Sequence, residues 1–150
     1  MPNKKVREEL LSLLNKALEL EHAAYVQYLS HAEMVDGLVA EPIIARLKET
    51  AGDEAKHQKE FRTLIGDYLG GVPSMGIAKA HKAGTIDEIL KQNLANEKEA
   101  VDFYNTILSK IAEHKKDLPY EFWFLEHAVR HVIIDEQEHI AELKILLAQR

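Results

Sequence analysis

The chain has 150 residues, of which 46% are apolar and 29% are charged, and these values are ordinary for one globular domain. The formal net charge of −6 argues against nucleic acid as a partner and against a basic membrane-binding patch. Because the chain contains no cysteine, it cannot by itself form disulfides, cysteine-ligated zinc sites or iron–sulfur clusters.

The first two segments with helical periodicity form a closely connected pair. Segment one covers about residues 4–35 and ends at Asp36-Gly37, where glycine can adopt the left-handed conformation that terminates a helix. Segment two covers about residues 41–68, with Pro42 in its first turn, where the missing N–H is tolerated. Gly70-Gly71 marks its end. The short connection between the segments predicts two antiparallel neighbours.

The second pair begins with a capping-box pattern at Thr85-Ile86-Asp87-Glu88. Segment three continues to about Lys115, and segment four runs from about residue 117 to the C-terminus. Each segment would form a helix roughly 45 Å long. The connection at residues 67–84 is much longer than the other two. This pattern predicts an all-α fold, an antiparallel four-helix bundle with one long crossover between helices two and three, as a single domain of residues 1–150.

Each predicted helix has an inward stripe, which is found by alternating steps of three and four residues. The stripes are mostly apolar, but each is interrupted near its middle by a glutamate, and two also carry a histidine one turn later. A buried carboxylate costs several kcal/mol unless it is paired, and no Lys or Arg lies on the stripes to pair with these. The polar residues at this level are Glu21, Glu54, His57, Glu97, Glu136 and His139.

Two divalent cations would neutralise these four carboxylates, and two neutral imidazoles would complete the ligand set. One Glu from each of two helices plus Glu-x-x-His from each of the other two is the arrangement of di-iron and di-manganese bundles. Glu-x-x-His alone is a weak signal, and a third copy, Glu19 with His22, lies off the stripe and is expected to be solvated. The rarer pattern Asp-Glu-x-x-His occurs twice, at residues 53–57 and 135–139. The sequence therefore predicts a two-metal site.

The other two helices repeat a pattern of their own. Tyr28 follows Glu21 by seven residues, and Tyr104 follows Glu97 by the same interval. Seven residues are two helical turns, so each tyrosine lies on the face of its glutamate. The chain thus reads as two copies of one helix pair, packed with approximate two-fold symmetry around the metals.

Residues beside the predicted ligands have a supporting role in this interpretation. A ligating histidine usually donates its second ring N–H to a carboxylate or a carbonyl. Asp53 is predicted to support His139 and Asp135 to support His57, although both aspartates also fit a solvated flank. The two tyrosines are predicted to hydrogen-bond the glutamates across the bundle or to donate electrons near the metals, and simple core packing is the alternative. The expected pairs are Tyr28 with Glu97 and Tyr104 with Glu21.

Three other features have weaker patterns. His31 continues the stripe of helix one and is expected to be a satisfied core residue. His127 and His131 are four residues apart and read as exposed helix residues rather than as a surface chelate. The aromatic stretch at residues 121–124 is expected to serve packing or an oligomer contact.

Taken together, these residues resemble the bacterioferritin branch of the ferritin-like superfamily over nearly the whole chain. The resemblance implies a ferroxidase centre that holds two iron ions per chain and oxidises Fe(II) with O₂ or H₂O₂. It also implies self-association into a homo-oligomer, a dimer or larger. The similar elements are Glu21, residues 27–29, residues 31–32, residues 53–57, Glu97 and residues 135–139.

The sequence departs from the bacterioferritin pattern in three places, one of which is a longer segment before the helix-four motif, at about residues 113–126. Bacterioferritin binds haem through a Met next to the helix-two Glu, and Ala55 occupies that position here, so no haem is expected. The short fifth helix that helps to close a storage cage is not apparent. The rubrerythrin branch is less similar, since its additional helix-three Glu corresponds to Ala100 and its Cys-rich module has no counterpart.

Three functions remain open. The first is oxidation of Fe(II); the second is a di-iron or di-manganese oxidase or peroxidase acting on another substrate, for which Ala17, Ala24 and Ala100 leave room. The third is a helical assembly module with a structural metal such as zinc. Carboxylate and imidazole ligands accept iron, manganese or zinc, so the metal is not decided. Since no apolar signal segment or run of about 18 apolar residues occurs, a cytoplasmic protein without nucleic-acid or membrane partners is expected.

Overall fold

The computed structural model describes residues 3–148, and the regular elements in that range are all helical. The predicted all-α architecture of four long helices is confirmed. A π-helical turn, Leu64–Tyr68, extends the second helix, and a 3₁₀ turn, Lys115–Asp117, precedes the fourth. Helix one ends earlier than predicted and helix four begins later, while the predicted end of helix four, residues 149–150, lies outside the described residues. The long helices are α1 (Lys4–Ala32), α2 (Ala40–Thr63), α3 (Ile86–Glu113) and α4 (Phe122–Ala148).

Side-chain caps define where α1 and α3 begin. The Val6 N–H donates to Asn3 Oδ1 at 3.0 Å, and the Glu88 N–H donates to Thr85 Oγ1 at 3.1 Å. Each bond satisfies one of the unpaired N–H groups of a first helical turn, which stabilises the helix by about 1 kcal/mol. The predicted capping box is only half formed, because Glu88 Oε2 accepts from the Gly84 N–H at 2.9 Å rather than from the cap residue itself.

The π-helical turn changes which residues of helix two face the core. Ile65 and Leu69 are fully buried, whereas Tyr68, which the alternating steps of three and four residues place on the inward stripe of segment two, is only partly buried. Tyr68 stacks instead on Phe124, with ring centroids 4.2 Å apart. A π turn adds one residue to the helical ring and therefore rotates the residues after it. The simple steps of three and four fail at this point for that reason.

The four helices pack as two hairpins around two apolar layers. α1 packs mainly on α2 and α3 on α4, and the hairpins meet through the α1–α3 and α2–α4 faces. One layer includes Leu14, Phe61 and Leu125, and the other includes Leu47 and Leu90, all fully buried. Each such side chain contributes about 1.5–3 kcal/mol through its removal from water. Between the two layers lies a band of buried glutamates and histidines.

The crossover, residues 69–84, runs along α1 and is held to it by polar contacts. Glu19 Oε2 accepts a hydrogen bond from Ser74 Oγ, and His22 Nδ1 lies 2.6 Å from the Gly76 carbonyl oxygen. Glu19 and His22 lie outside the buried cluster, as predicted, but they are only partly solvated because the crossover covers part of both side chains. Within residues 3–148, none of the helices combines the length and hydropathy that a membrane span requires.

Candidate metal centre

The six predicted ligands lie together in the polar band at the middle of the bundle. Each exposes at most 2% of its surface. They form two groups in which one donor atom from every residue lies within 4.8 Å of the others. The first group is Glu21, Glu54, His57 and Glu136, and the second is Glu54, Glu97, Glu136 and His139.

Helix geometry explains how four helices deliver six donors to one place. Glu54 and His57 on α2 are three residues apart, as are Glu136 and His139 on α4, so each pair shares a helix face. α1 and α3 add one glutamate each. Because Glu54 and Glu136 belong to both groups, the groups overlap and share two carboxylates.

His57 directs one ring nitrogen toward the carboxylates and the other toward the opposite helix. Its Nδ1 lies 3.1 Å from Glu54 Oε1, 3.2 Å from Glu136 Oε1 and 3.5 Å from Glu21 Oε1. Its Nε2 lies 2.8 Å from Asp135 Oδ2. With the proton on Nε2 donated to Asp135, the lone pair of Nδ1 faces the carboxylate oxygens, which is the tautomer that a metal ligand requires.

His139 has the same arrangement on the other side of the centre. Its Nδ1 lies 3.2 Å from Glu97 Oε2 and 3.4 Å from Glu136 Oε1. Its Nε2 lies 2.9 Å from Asp53 Oδ2. The two ring centroids, of His57 and His139, are 6.3 Å apart. The contacts of residue 53 with 139 and of residue 57 with 135 also show that α2 and α4 are antiparallel.

Two buried tyrosines contact the glutamates of α1 and α3. Tyr28 Oη donates to Glu97 Oε1 at 3.0 Å, and Tyr104 Oη donates to Glu21 Oε1 at 2.8 Å. Burial, together with the neighbouring carboxylates, raises the pKa of both phenols well above the ordinary value. Both tyrosines therefore stay protonated as hydrogen-bond donors. The tyrosine of α1 thus contacts the glutamate of α3, and the tyrosine of α3 contacts the glutamate of α1. This reciprocal pairing is consistent with the approximate two-fold symmetry predicted from the sequence.

Without metal, the cluster retains protons. Burial and the charge of Glu136 raise the pKa of Glu54 well above its usual range and that of Glu97 to about 8. Burial alone would lower the pKa of His139, but the neighbouring carboxylates of Glu136 and Glu97 raise it to about 11. For Glu136, the neighbouring imidazoles of His139 and His57 outweigh the effect of burial, and its pKa is lowered. Bound protons therefore offset part of the negative charge of the cluster, and a bound cation would stabilise it in the same way.

Several buried donor atoms in the cluster have no hydrogen-bond partner. They are Glu21 Oε2, both carboxylate oxygens of Glu54, Glu136 Oε1 and His57 Nδ1. A buried polar atom without a hydrogen-bond partner costs about 1–3 kcal/mol. The presence of five such atoms in one cluster therefore requires an explanation. Carboxylate oxygens and neutral imidazole nitrogens are suitable ligands for Fe(II), Mn(II) and Zn(II). The donor set therefore fits divalent cations.

A polar network beside the cluster was not anticipated from the sequence. Gln27 Nε2 donates to Asn93 Oδ1 at 2.9 Å and to Asn96 Oδ1 at 2.8 Å, and the His81 N–H donates to Gln27 Oε1 at 2.7 Å. His31 Nε2 lies 2.8 Å from the His81 carbonyl oxygen, and Asn93 Nδ2 lies 2.9 Å from His31 Nδ1. His31 is thus a satisfied core residue, as predicted. Buried Asn93 was a visible signal, but nothing in the local pattern pointed to His81.

The remaining candidates lie outside the cluster. His127 and His131 are exposed, with ring centroids 4.2 Å apart, and neither belongs to a three-ligand group within residues 3–148. In the aromatic stretch, Phe122 packs in the core whereas Trp123 is 69% exposed. This stretch therefore contributes to packing and also leaves an aromatic surface.

Comparisons with known proteins agree with this geometry. The family model described as ferritin-like domain matches residues 11–150. No curated protein sequence matches the chain. A solved ferritin-like, diiron-carboxylate protein from Bacillus anthracis str. Ames is 24% identical, with a TM-score of 0.88 over 97% of this chain and 99% of that one.

Two further solved structures share the fold. A dodecameric thioferritin, the bacterioferritin-related protein from Bacteroides fragilis, is 24% identical, with a TM-score of 0.81 over 95% of this chain and 86% of that one. The bacterioferritin from Desulfovibrio desulfuricans, which has a diiron site, is 21% identical, with a TM-score of 0.85 over 99% of this chain and 84% of that one. At these identities the likeness establishes the fold. Since the family model spans almost the whole chain, the protein belongs to the ferritin-like family.

Proposed function

We propose that the protein binds two iron ions and oxidises Fe(II) with O₂ or H₂O₂. One observation carries the proposal: two four-residue donor groups share Glu54 and Glu136, and several buried donor atoms of these groups have no hydrogen-bond partner. Manganese or zinc can occupy the same donors, and availability decides between them. The six proposed ligands are Glu21, Glu54, His57, Glu97, Glu136 and His139.

In this proposal each residue has a distinct role. Glu54 and Glu136, which belong to both donor groups, would hold both metal ions, and Glu21 and Glu97 would each hold one. When bound, two Fe(II) ions would supply the electrons that reduce the oxidant. The shared carboxylates would favour the more highly charged oxidised metal, because their negative charge is held in a site of low dielectric.

Four neighbours keep the ligands in place. Asp135 and Asp53 accept the Nε2 protons of His57 and His139, which orients each ring with Nδ1 toward the centre. Tyr28 and Tyr104 each hold one oxygen of a terminal glutamate and leave the other oxygen for the metal. Because both phenols contact proposed ligands of the centre, they are also the proposed electron donors.

The test is an aerobic titration of metal-free protein with Fe(II), followed by absorbance and oxygen uptake. Rapid oxidation that saturates near two iron ions per chain is expected. Glu54→Gln should lose it, whereas Glu49→Gln, an exposed glutamate on the same helix, should retain it. Oxidation no faster than in buffer alone, or equal rates in wild type and Glu54→Gln, would refute the proposal.

A second candidate is an oxidase or peroxidase that acts on another substrate. The supporting observation is a cavity of about 340 Å³ that reaches Glu21, Glu54, Glu97 and Glu136 from the surface. Oxidation of Fe(II) alone does not need a cavity of this size. Retention of two metals with slow iron oxidation, but fast turnover of an added organic reductant, would favour this candidate.

We also propose that the chain self-associates and acts in the cytoplasm. A structural neighbour from Bacteroides fragilis is dodecameric. Exposed apolar side chains here, such as Trp123 at 69% and Ile145 at 58%, provide surface that association could cover. Light scattering coupled to size exclusion tests this; a monomer at micromolar concentration would contradict it.

A further inference from the structure

The cavity that reaches the metal centre has the size of a ligand pocket. It lies between α1, α3 and the crossover; Glu21 and Glu97 form part of its floor, Ala24 and Ala100 its walls, and Lys79 part of its rim. Its volume of about 340 Å³ is room for about eleven water molecules at about 30 Å³ each. Pockets for small molecules begin at about 300 Å³. O₂ or H₂O₂ alone would leave most of this space unused.

The rim offers hydrogen-bond donors more than acceptors. The side-chain oxygens of Gln27, Asn93 and Asn96 each already accept a hydrogen bond. Among the hydrogen bonds of residues 3–148, none uses Asn96 Nδ2 as a donor. Lys79 is exposed and has no ion pair in the same part of the chain. A ligand with acceptor oxygens would satisfy these donors, whereas a hydrated cation would not.

The charges and the apolar walls of the cavity further restrict the class of ligand that it can bind. The walls near the centre are small and apolar, so they suit a hydrocarbon body rather than an inorganic ion. Glu99 also lines the cavity and is exposed like Lys79, so water screens both charges, and each has only a modest effect on an anion. The four carboxylates at the floor repel an anion until metal ions neutralise them. An anionic ligand would therefore bind after the metals.

We propose that this cavity binds a small organic acid when the metal centre is filled. Its carboxylate lies at Lys79 and Asn96, and its apolar part packs against Ala24 and Ala100, next to the metals. This inference rests on the proposed two-metal centre and deepens it by naming the class of second ligand that reaches it.

The first test uses zinc-loaded protein, which is redox-silent, and benzoate as the probe in isothermal titration calorimetry. One benzoate per chain is expected to bind, and metal-free protein is expected to bind it much more weakly. Ala100→Leu fills the cavity and should abolish binding, whereas Ala95→Leu, exposed on the same helix and outside this cavity, should not. Zinc content is measured for each variant, so a damaged metal centre is distinguished from a filled cavity.

A second comparison tests the anchor. Lys79→Gln should weaken benzoate binding by about threefold, the effect of one exposed charge pair, and Lys82→Gln on the same crossover should leave it unchanged. Benzamide, which lacks the charge, and inorganic phosphate, which lacks the apolar body, should both bind more weakly than benzoate.

Three outcomes would overturn the inference. Benzoate binding that is equally tight with and without zinc, or in Ala100→Leu, would place the probe elsewhere on the protein. Equal affinity of wild type and Lys79→Gln would move the anchor to another group. Phosphate binding tighter than benzoate would make the cavity an inorganic anion site. Each of these results is possible in a protein that still oxidises Fe(II), so it would count against the cavity ligand and not against the proposed function. Failure of the wild-type protein to bind zinc would instead count against the metal centre.

Discussion

Replacing Glu54 by leucine is expected to make the metal-free protein more stable than metal-free wild type. In the presence of metal, the variant is expected to be less stable than wild type. Glu54 is fully buried, and neither of its carboxylate oxygens has a hydrogen-bond partner. Leucine has a similar size and no polar atoms. The substitution therefore removes a buried group that only a cation would satisfy.

The expected magnitude follows from the two unpaired oxygens. At about 1 kcal/mol each, their removal should raise the free energy of unfolding without metal by about 2 kcal/mol, within the range of about 1–4 kcal/mol seen when buried ionic groups become apolar. A metal present at a hundredfold excess over its Kd stabilises wild type by about 2.7 kcal/mol per site. With two sites, wild type should exceed the variant by about 3 kcal/mol in the presence of zinc.

Urea denaturation, followed by circular dichroism with EDTA and then with excess zinc, measures both differences. Glu49→Leu on the exposed face of α2 is the control and should change the free energy of unfolding by less than about 0.5 kcal/mol in either condition. If Glu54→Leu were less stable than wild type in EDTA, the claim that the buried carboxylate is unsatisfied without metal would be refuted.

Three other perturbations have defined outcomes. Asp135→Ala should lower the affinity of one of the two metal positions by about 10–100-fold in a Co(II) titration, because His57 loses the acceptor that orients it; two equally affected positions would contradict this. Metal-free protein should lose stability in urea from pH 7 to pH 10. Folding raises the pKa of His139 from 6.5 to about 11 and that of Glu97 from 4.5 to about 8. Between the unfolded and folded pKa values the folded state therefore binds more protons than the unfolded state, and this stabilisation is lost as the pH rises through the folded pKa values. A free energy of unfolding that stays constant from pH 7 to pH 10 would show that the folded cluster does not retain these protons. Gln27→Leu should cost about 2 kcal/mol in urea denaturation, because it leaves the Asn93 amide oxygen and the His81 N–H without partners, and it should speed hydrogen exchange of the His81 amide. Unchanged exchange would show that the crossover is held by other contacts.

The helices and the polar band were predictable because both depend on local spacing. An inward stripe follows from the helical period alone, and a glutamate on such a stripe is conspicuous since packing does not explain it. Asp53 and Asp135 were visible for a related reason: each adjoins a glutamate of the stripe in a repeated motif. Neither inference required knowledge of how distant parts of the chain meet.

The features that escaped prediction depend on long-range packing or on small changes in helical geometry. Nothing in the composition of residues 64–68 marks a π turn, so the register of Tyr68 was assigned incorrectly. Glu19 and His22 were assigned to solvent because the path of the crossover is not encoded in a local pattern. The hydrogen bond from the His81 N–H to Gln27 Oε1 was not predicted for the same reason, although both residues are polar and line the cavity beside the centre.

The polar cluster is also the place where the two helical hairpins contact each other through exchanged side chains. The first hairpin supplies Glu21, Glu54 and His57, and the second supplies Glu97, Glu136 and His139. Each hairpin also lends an aspartate and a tyrosine to the ligands of the other. A movement that separates the hairpins would therefore take apart both candidate donor groups at once, so a metal bound by both hairpins would stabilise their contact.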